Sequence, residues 1–515
     1  MDDRSGADRA ANNLSELVSR AADRRADGVA FVSGATRVTW AQFEAAVSTL
    51  SAALVGEGLA PGDRLALMLR NTLDFPLHYF AALRAGLVVV PVNTAFTAPE
   101  VHHVLADSGA SVLVTDAAGA AVVEPTRAAL PALRSVRLAE ASRGAESGAA
   151  SSGEGDPIGP LGGGGDLAVI VYTSGTSGRP RGAMLSHRAL LANLEQVGAI
   201  EPVPVRDTDV VLLVLPLFHI YGLNVGLGMQ TWAAATGVLV DRFDPAACLE
   251  LMAAERVTTL AGAPPMYVVW SRSDPAALRS GFDSVRVALS GAAPLPAGVL
   301  AAMHEVAGVD VYEGYGLTET APVLTSTLLS ERPKPGSIGR PVPGVELALW
   351  DDDGAPVDPD EEGGTGQIVV RGANVFTGYW PDGQDGPDAE GWLATGDIGF
   401  LDDDGDLHLV DRMKDLILVS GFNVYPQEVE AVLLRHAGVR DAAVVGIPDE
   451  RTGEAVRALV VAAPGSEPTE DQLREHCRAN LARFKWPTEM TFVPELPHSV
   501  TGKVSRSRLR EIGLA

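Results

Sequence analysis

Leu167-Ala-Val-Ile-Val-Tyr-Thr-Ser-Gly-Thr-Ser-Gly-Arg-Pro-Arg-Gly182 sets a short, unbroken apolar run directly against a loop of small hydroxyl residues and glycines. An apolar run of this length bounded by turn residues reads as a strand buried on both faces of a sheet. The glycines of the loop permit positive φ, so that consecutive N–H groups and hydroxyls can turn toward an anion. A helical stretch is expected to follow. The GxxxxGK[ST] pattern is absent and no lysine closes the loop, which disfavours a P-loop kinase or GTPase. Taken alone, a Ser/Gly cluster reads as a flexible turn, so the surrounding sequence has to decide.

Outward from this strand the same rhythm repeats. Apolar runs at 65–69, 88–92 and 111–115 alternate with helical patterns such as the one around 74–84, which is the signal of a doubly wound α/β sheet. The chain has 515 residues, too many for one ordinary domain. Residues 140–166 are rich in Ala, Gly, Ser and Glu and include four successive glycines, which reads as a loose connection. Residues 210–240 carry no charge and could span a bilayer on length alone. Pro216, His219, Asn224 and Gln230 interrupt them, so they read as a strand at 210–215, a turn at Pro216 and a core helix, with the polar residues beside a pocket. After the Asp402-Asp-Asp-Gly405 turn and the apolar run 407–410 the texture changes to that of a compact α+β unit. Pro426 opens a helix there, and 443–447 and 457–462 read as strands. The domains expected are 1–411 and 412–515.

Composition narrows the chemistry. Forty basic against 66 acidic residues give a formal charge of −26, which repels nucleic acid and anionic lipid and favours a small-molecule substrate. Cys248 and Cys477 stand alone without ligand spacing, so neither a disulfide framework nor a zinc site is expected. The charged Met1-Asp-Asp-Arg-Ser5 start lacks an apolar core, and the cytoplasm is the expected location.

The loop closely resembles the phosphate loop of the adenylate-forming superfamily, which includes acyl-CoA synthetases, carrier-protein-loading adenylation domains and firefly-type luciferases. Further motifs follow in that superfamily's order. They are Ser290-Gly-Ala-Ala-Pro-Leu295, Tyr312-Glu-Gly-Tyr-Gly-Leu-Thr-Glu-Thr320, Thr395-Gly-Asp397, Asp411-Arg-Met-Lys-Asp415 and Pro497-His-Ser-Val-Thr-Gly-Lys503. The fold this resemblance implies is a large multi-subdomain α/β N-terminal domain with a small α+β C-terminal domain on a hinge. The activity implied is that of a bacterial-type acid:CoA ligase working through an acyl-adenylate, with ATP, Mg²⁺ and CoA as cofactors.

Residue by residue, the resemblance implies that Thr173, Ser174, Gly175, Thr176, Ser177, Gly178 and Arg181 hold the ATP phosphates. Arg181 stands where the superfamily usually has lysine, which keeps the charge and changes the donor geometry. Gly291, Ala292 and Ala293 wall the adenine pocket, joined by Glu313, Gly314, Tyr315 and Gly316, with Tyr315 stacking on the ring. Thr318 reaches the α-phosphate, and Glu319 holds Mg²⁺ together with Thr176, hard oxygen ligands for a hard ion. Asp397 and Arg412 contact the ribose, Lys414 is the hinge, and Lys503 acts in adenylation alone. Ser420, Gly421 and Phe422 pass the pantetheine arm of CoA.

Pro216-Leu-Phe-His-Ile-Tyr-Gly-Leu-Asn224 resembles the acid-pocket segment of fatty acyl-CoA and 4-coumarate:CoA ligases. His219 is implied as a gate beside the carboxylate, and Tyr221, Val225 and Gly226 as the channel lining. No Asp is present there to pair a substrate ammonium, which would be costly to bury alone. The acid therefore lacks an α-amino group. Leu418 and Ser420 stand where plant coumarate ligases carry lysines, which favours a medium- or long-chain fatty acid over a phenylpropanoid. An aryl acid, or a carrier protein as acyl acceptor, are the alternatives. Monomer and homodimer stay equally open.

Overall fold

The computed structural model describes residues 11–139, 158–173, 180–351, 353–357, 364–412, 417–419, 422–449, 453–481, 483–497 and 509. The chain divides into two compact units. One comprises Met1–Pro335, Gly339–Glu346 and Arg371–Leu393; the other comprises Gly336–Ile338, Leu347–Val370 and Ala394–Ala515.

The larger unit holds two mainly parallel sheets. In one, the strands run in the order Ser135–Leu138, Val112–Thr115, Arg64–Met68, Val88–Pro91, Leu167–Thr173 and Arg181–Ser186, all parallel except the last pair. In the other, Val311–Gly316, Val287–Ser290, Thr259–Gly262, Val210–Leu213, Thr236–Leu239 and Val29–Ser33 are parallel neighbours. Antiparallel strands flank this run, with Thr36–Thr39 at one end and Val323–Ser326 beside Val311–Gly316. Parallel pairing requires crossovers that cover the sheet faces, which is why central strands such as Val88–Pro91 and Val112–Thr115 are buried at every residue. The helix Asp74–Arg84 is buried along its whole length. Even Arg84 is enclosed, and its guanidinium donates to both oxygens of Glu44 at 2.6 and 2.8 Å, the bidentate pairing that a buried arginine needs.

The uncharged stretch is interior, as its polar residues foretold. A strand, Val210–Leu213, leads to a π-helical segment, Tyr221–Gly228, a short α-helix, Met229–Ala233, and a second strand, Thr236–Leu239. The Gln230 amide donates to the carbonyls of Ala30 and Ala235, at 3.0 and 2.6 Å. Among the described residues no helix is long and apolar enough to cross a membrane.

Two expectations change. The phosphate loop is followed by the strand Arg181–Ser186, antiparallel to Leu167–Thr173, and the helix His187–Gly198 begins only after it. The described strands on either side of the loop are thus antiparallel neighbours. The four glycines 162–165 are also less loose than their composition suggests. The Gly164 N–H donates to the Asn12 carbonyl, the Gly163 N–H to Asp166, and the Gly162 carbonyl accepts from Asn13. Hydrogen bonds to the glycine backbone hold this segment, and they need no apolar side chain. Most of the connection before it lies outside the described residues.

In the smaller unit, one strand runs to Leu401, turns at Asp402–Asp406 and returns antiparallel as Leu407–Arg412. Beyond it, strands Phe422–Val424, Ile417–Val419, Gly453–Ala462 and Val439–Asp449 form a sheet, with Glu489–Phe492 added parallel to Gly453–Ala462. Val429, Val432, Leu433, Leu473 and Cys477 from helices Pro426–Leu434 and Glu470–Asn480 enter one core with the sheet. The expected 443–447 strand extends to eleven residues because it pairs along its length with Gly453–Ala462.

Candidate active site

Both ends of the phosphate loop are anchored by one helix, Ala98–Ser108. At the entry, the Tyr172 hydroxyl donates to Asp107 at 2.6 Å; at the exit, His103 Nε2 donates to the Pro180 carbonyl at 2.9 Å. Burial raises the Tyr172 phenol, and the neighbouring Asp107 carboxylate raises it further, so the donor keeps its proton. Thr173 ends the entry strand and Arg181 opens the exit strand. Ser174, Gly175, Thr176, Ser177 and Gly178 lie outside the described residues, as do Lys414, Ser420, Gly421 and Lys503.

Arg181 is held on two sides. Its guanidinium meets Asp385 at 2.7 Å and lies 3.9 Å from the centroid of the Tyr379 ring. The Tyr379 hydroxyl in turn donates to Glu319 Oε1 at 2.5 Å. Burial, followed by the Glu319 charge, raises the Tyr379 phenol and keeps it a donor. Two residues assigned by sequence to the phosphates and the metal are thus joined through a third that the sequence did not single out. Tyr379 lies 60 residues from Glu319 in the chain, and no spacing pattern connects them.

Thr318–Thr320 forms a single 3₁₀ turn after the strand Val311–Gly316. The turn is tightly specified. A Cβ on Gly316 would fall 1.7 Å from the Pro322 carbonyl oxygen, so only glycine fits. Thr320 Oγ1 donates to that same carbonyl at 2.8 Å, and Asn374 donates to the Thr320 carbonyl at 2.8 Å. Asn224, from the acid-pocket segment, donates to the carbonyls of Ala321 and Leu190 at 2.6 and 3.1 Å. Asn224 thus ties the residue after the turn to the helix His187–Gly198, and Asn374 holds the turn itself.

Among the residues expected to meet adenine, Tyr315 is buried beside a register shift with Val323–Ser326, and Gly314 pairs with Ser326. Ala292 adopts a left-handed φ of 73° between Gly291 and Ala293, a conformation costly for a residue with a Cβ. Glu313 is buried, accepts the Leu295 N–H at 2.8 Å, and burial pushes its carboxyl up to about 7. On the acid side, His219 Nδ1 accepts the Tyr221 N–H at 3.2 Å, which places the proton of a neutral ring on Nε2. Tyr221 opens the π-helical segment that also contains Val225 and Gly226, and burial raises its phenol.

In the smaller unit, Asp397 is buried after Gly396, whose φ is 74°. Its N–H donates to Thr395 Oγ1 at 3.1 Å, and Asp397 and Arg412 are register partners. Phe422 begins the strand Phe422–Val424.

Among the described residues no group of three or more His, Cys, Asp or Glu could hold a metal ion. A single carboxylate such as Glu319 fits an ion that takes its remaining oxygens from a triphosphate and water, which is how Mg²⁺ is commonly bound.

Two family models match the chain: AMP-binding enzyme over residues 18–380 and AMP-binding enzyme C-terminal domain over 428–503. The chain is 35% identical to a long-chain-fatty-acid–CoA ligase of Yersinia pestis, over 97% of this chain and 94% of that protein. It is 37% identical to a feruloyl-CoA synthase of Amycolatopsis sp, over 93% and 94%. Among solved structures it is similar to ATP-bound MatB from Rhodopseudomonas palustris, with a TM-score of 0.87, 32% identity, and coverage of 97% and 98%.

Proposed function

The chain belongs to the AMP-binding enzyme family, and from that premise we propose that it activates a medium- or long-chain fatty acid and passes it to CoA. It is an acid–thiol ligase, forming acyl-CoA, AMP and pyrophosphate. The observation that carries this reading is the Thr318–Thr320 turn, tied at once to Asn224 of the acid segment and, through Tyr379, to Arg181 at the exit of the phosphate loop. Carboxylate, α-phosphate and polyphosphate need one common meeting point, and this turn offers it.

In the first half-reaction the acid's carboxylate oxygen attacks the α-phosphorus and pyrophosphate leaves. Thr318 and Lys503 donate to the charge that builds there, and Glu319 with Thr176 holds the metal. Mg²⁺, when bound, supplies neutralisation of the triphosphate. In the second, the thiol of CoA attacks the mixed anhydride and AMP leaves. Asp397 and Arg412 hold the ribose, and Ser420, Gly421 and Phe422 guide the pantetheine arm. The functional division at 411, with Lys414 as pivot, belongs to the same reading, as do a cytoplasmic location and a part in fatty acid metabolism.

The fatty-acid preference rests on Leu418 and Ser420 and on the likeness to the Yersinia pestis ligase. The likeness to the feruloyl-CoA synthase favours an aryl acid as the second reading. Incubation with ATP, Mg²⁺, CoA and a panel spanning octanoate, palmitate, 4-coumarate and ferulate separates them. Octanoate or palmitate should give the highest kcat/KM for acyl-CoA release. A higher value for ferulate selects the aryl reading, and AMP release that requires a holo carrier protein instead of CoA replaces the acceptor.

A further inference from the structure

We propose that Tyr379 is a positioning residue for adenylation: its hydroxyl fixes one oxygen of Glu319 before nucleotide arrives, and Arg181 and Asp385 clamp its ring from the phosphate-loop side. The inference rests on the reading of Glu319 as the carboxylate for the metal that accompanies ATP.

A glutamate side chain has three torsions to settle before it can serve as a metal ligand. Here the 2.5 Å contact from the Tyr379 hydroxyl to Oε1 is a short, charge-assisted bond that selects one orientation. The donor has little freedom of its own. The Phe376 N–H donates to the Glu319 carbonyl at 2.8 Å, and the Trp380 N–H donates to the Gly182 carbonyl at 2.8 Å. Tyr379 bridges to Ala183 between these two bonds, on the strand that leaves the phosphate loop. The segment carrying Tyr379 is therefore stitched to Glu319 on one side and to that strand on the other.

The ring is enclosed as well. Phe376 meets it edge-on at 5.1 Å between centroids, and the Arg181 guanidinium lies 3.9 Å from its centroid. Asp385, meeting Arg181 at 2.7 Å, adopts a left-handed φ of 52°. A lysine at 181 would offer a compact point donor in place of a broad guanidinium that covers the ring while one of its nitrogens meets Asp385. The departure from the superfamily's lysine thus has a local counterpart: a planar cation, an aromatic ring and a carboxylate that suit one another. The chain Asp385, Arg181, Tyr379, Glu319 runs from the phosphate-loop side to the metal side, so the two are preset together.

Tyr379→Phe removes one oxygen and keeps the ring under Arg181. Binding of ATP and of AMP is measured by calorimetry across a Mg²⁺ titration, alongside Tm. The expected result is a rise of about tenfold in the Mg²⁺ midpoint for ATP binding, the scale of one charge-assisted hydrogen bond, with AMP affinity unchanged and only the small fall in Tm that losing one hydrogen bond brings. A merely structural role would weaken AMP and ATP binding alike, and that outcome overturns the proposal. Asp385→Asn, at an exposed site whose left-handed backbone asparagine tolerates, tests the clamp if Tyr379→Phe does not fold. It should raise the same midpoint about twofold, and no change would remove Arg181 and Asp385 from the device. Wild-type ATP binding that ignores Mg²⁺ overturns the Glu319 reading itself. Mg²⁺-dependent wild-type binding with an unshifted Tyr379→Phe variant overturns only the role of Tyr379.

Discussion

The Tyr221 ring lies against Gly291, so close that a Cβ on Gly291 would stand 3.1 Å from the ring atoms Cε1 and Cζ. The segment proposed to line the acid pocket and the one proposed to wall the adenine share this contact. Gly291→Ala would push the ring aside by a few tenths of an ångström, an overpacking effect on the order of 1–2 kcal/mol. The expected outcome in steady-state kinetics is a roughly tenfold higher KM for the acid and a smaller rise in KM for ATP. An increase confined to ATP would show that Tyr221 does not face the acid.

Asn224 is buried and donates to two carbonyls, those of Ala321 and Leu190. Asn224→Leu keeps the volume and leaves both acceptors without this donor, which costs about 2–3 kcal/mol. Urea unfolding should show that loss. Because Ala321 directly follows the Thr318–Thr320 turn, pyrophosphate exchange should also fall, and by more than acid binding does. Equal stability in the variant would mean that water replaces the amide.

His187 is buried, and its Nδ1 accepts the Leu14 N–H at 3.2 Å, so that nitrogen carries no proton. Burial pushes the imidazole down to about 4, with Asp166 opposing. A folded value below the ordinary 6.5 means that the unfolded chain binds the proton first. Stability is therefore full above about 6.5 and drains away as pH falls toward 4, by about 3 kcal/mol in all. His187→Gln should have a flatter Tm profile across this interval than the wild type. Parallel profiles would contradict the assignment.

Lys503 is expected to serve the first half-reaction only. Lys503→Ala should lose pyrophosphate exchange by at least about a hundredfold, the scale of one donor to a developing charge, while supplied acyl-AMP and CoA still give acyl-CoA. Equal loss of both steps would break the division of labour.

Much of the fold was legible because burial imposes period. The helix Asp74–Arg84 and the strands near Leu65, Val88, Val112 and Leu167 follow directly from apolar spacing. The strand Arg181–Ser186 did not, because it opens with an arginine and a glycine and owes its form to its partner strand. The motifs singled out Thr318 and Glu319 by resemblance alone, and the 3₁₀ turn they share is a feature of the structure that the motifs did not foretell. Tyr379 escaped because its role depends on a strand-edge pairing with Ala183, a relationship that leaves no local pattern. The four glycines 162–165 misled for a similar reason, since backbone bonds to Asn12 are invisible in composition.

Glu313 should act against His187 in the pH profile, so only single variants expose either. Burial pushes the Glu313 carboxyl up to about 7, while the Leu295 N–H favours the ionised form and limits the rise. A folded value above the ordinary 4.5 means that the native protein holds its proton longer than the unfolded chain. The stability it contributes is full below about 4.5 and is lost as pH rises through 7, by up to about 3 kcal/mol. Glu313→Gln can still accept the Leu295 N–H and carries no charge to desolvate. It should therefore melt above the wild type at pH 8, with the difference shrinking as pH falls to 5. A constant difference across that range would mean that the carboxyl does not titrate there, and that burial is relieved by water or by a donor other than Leu295.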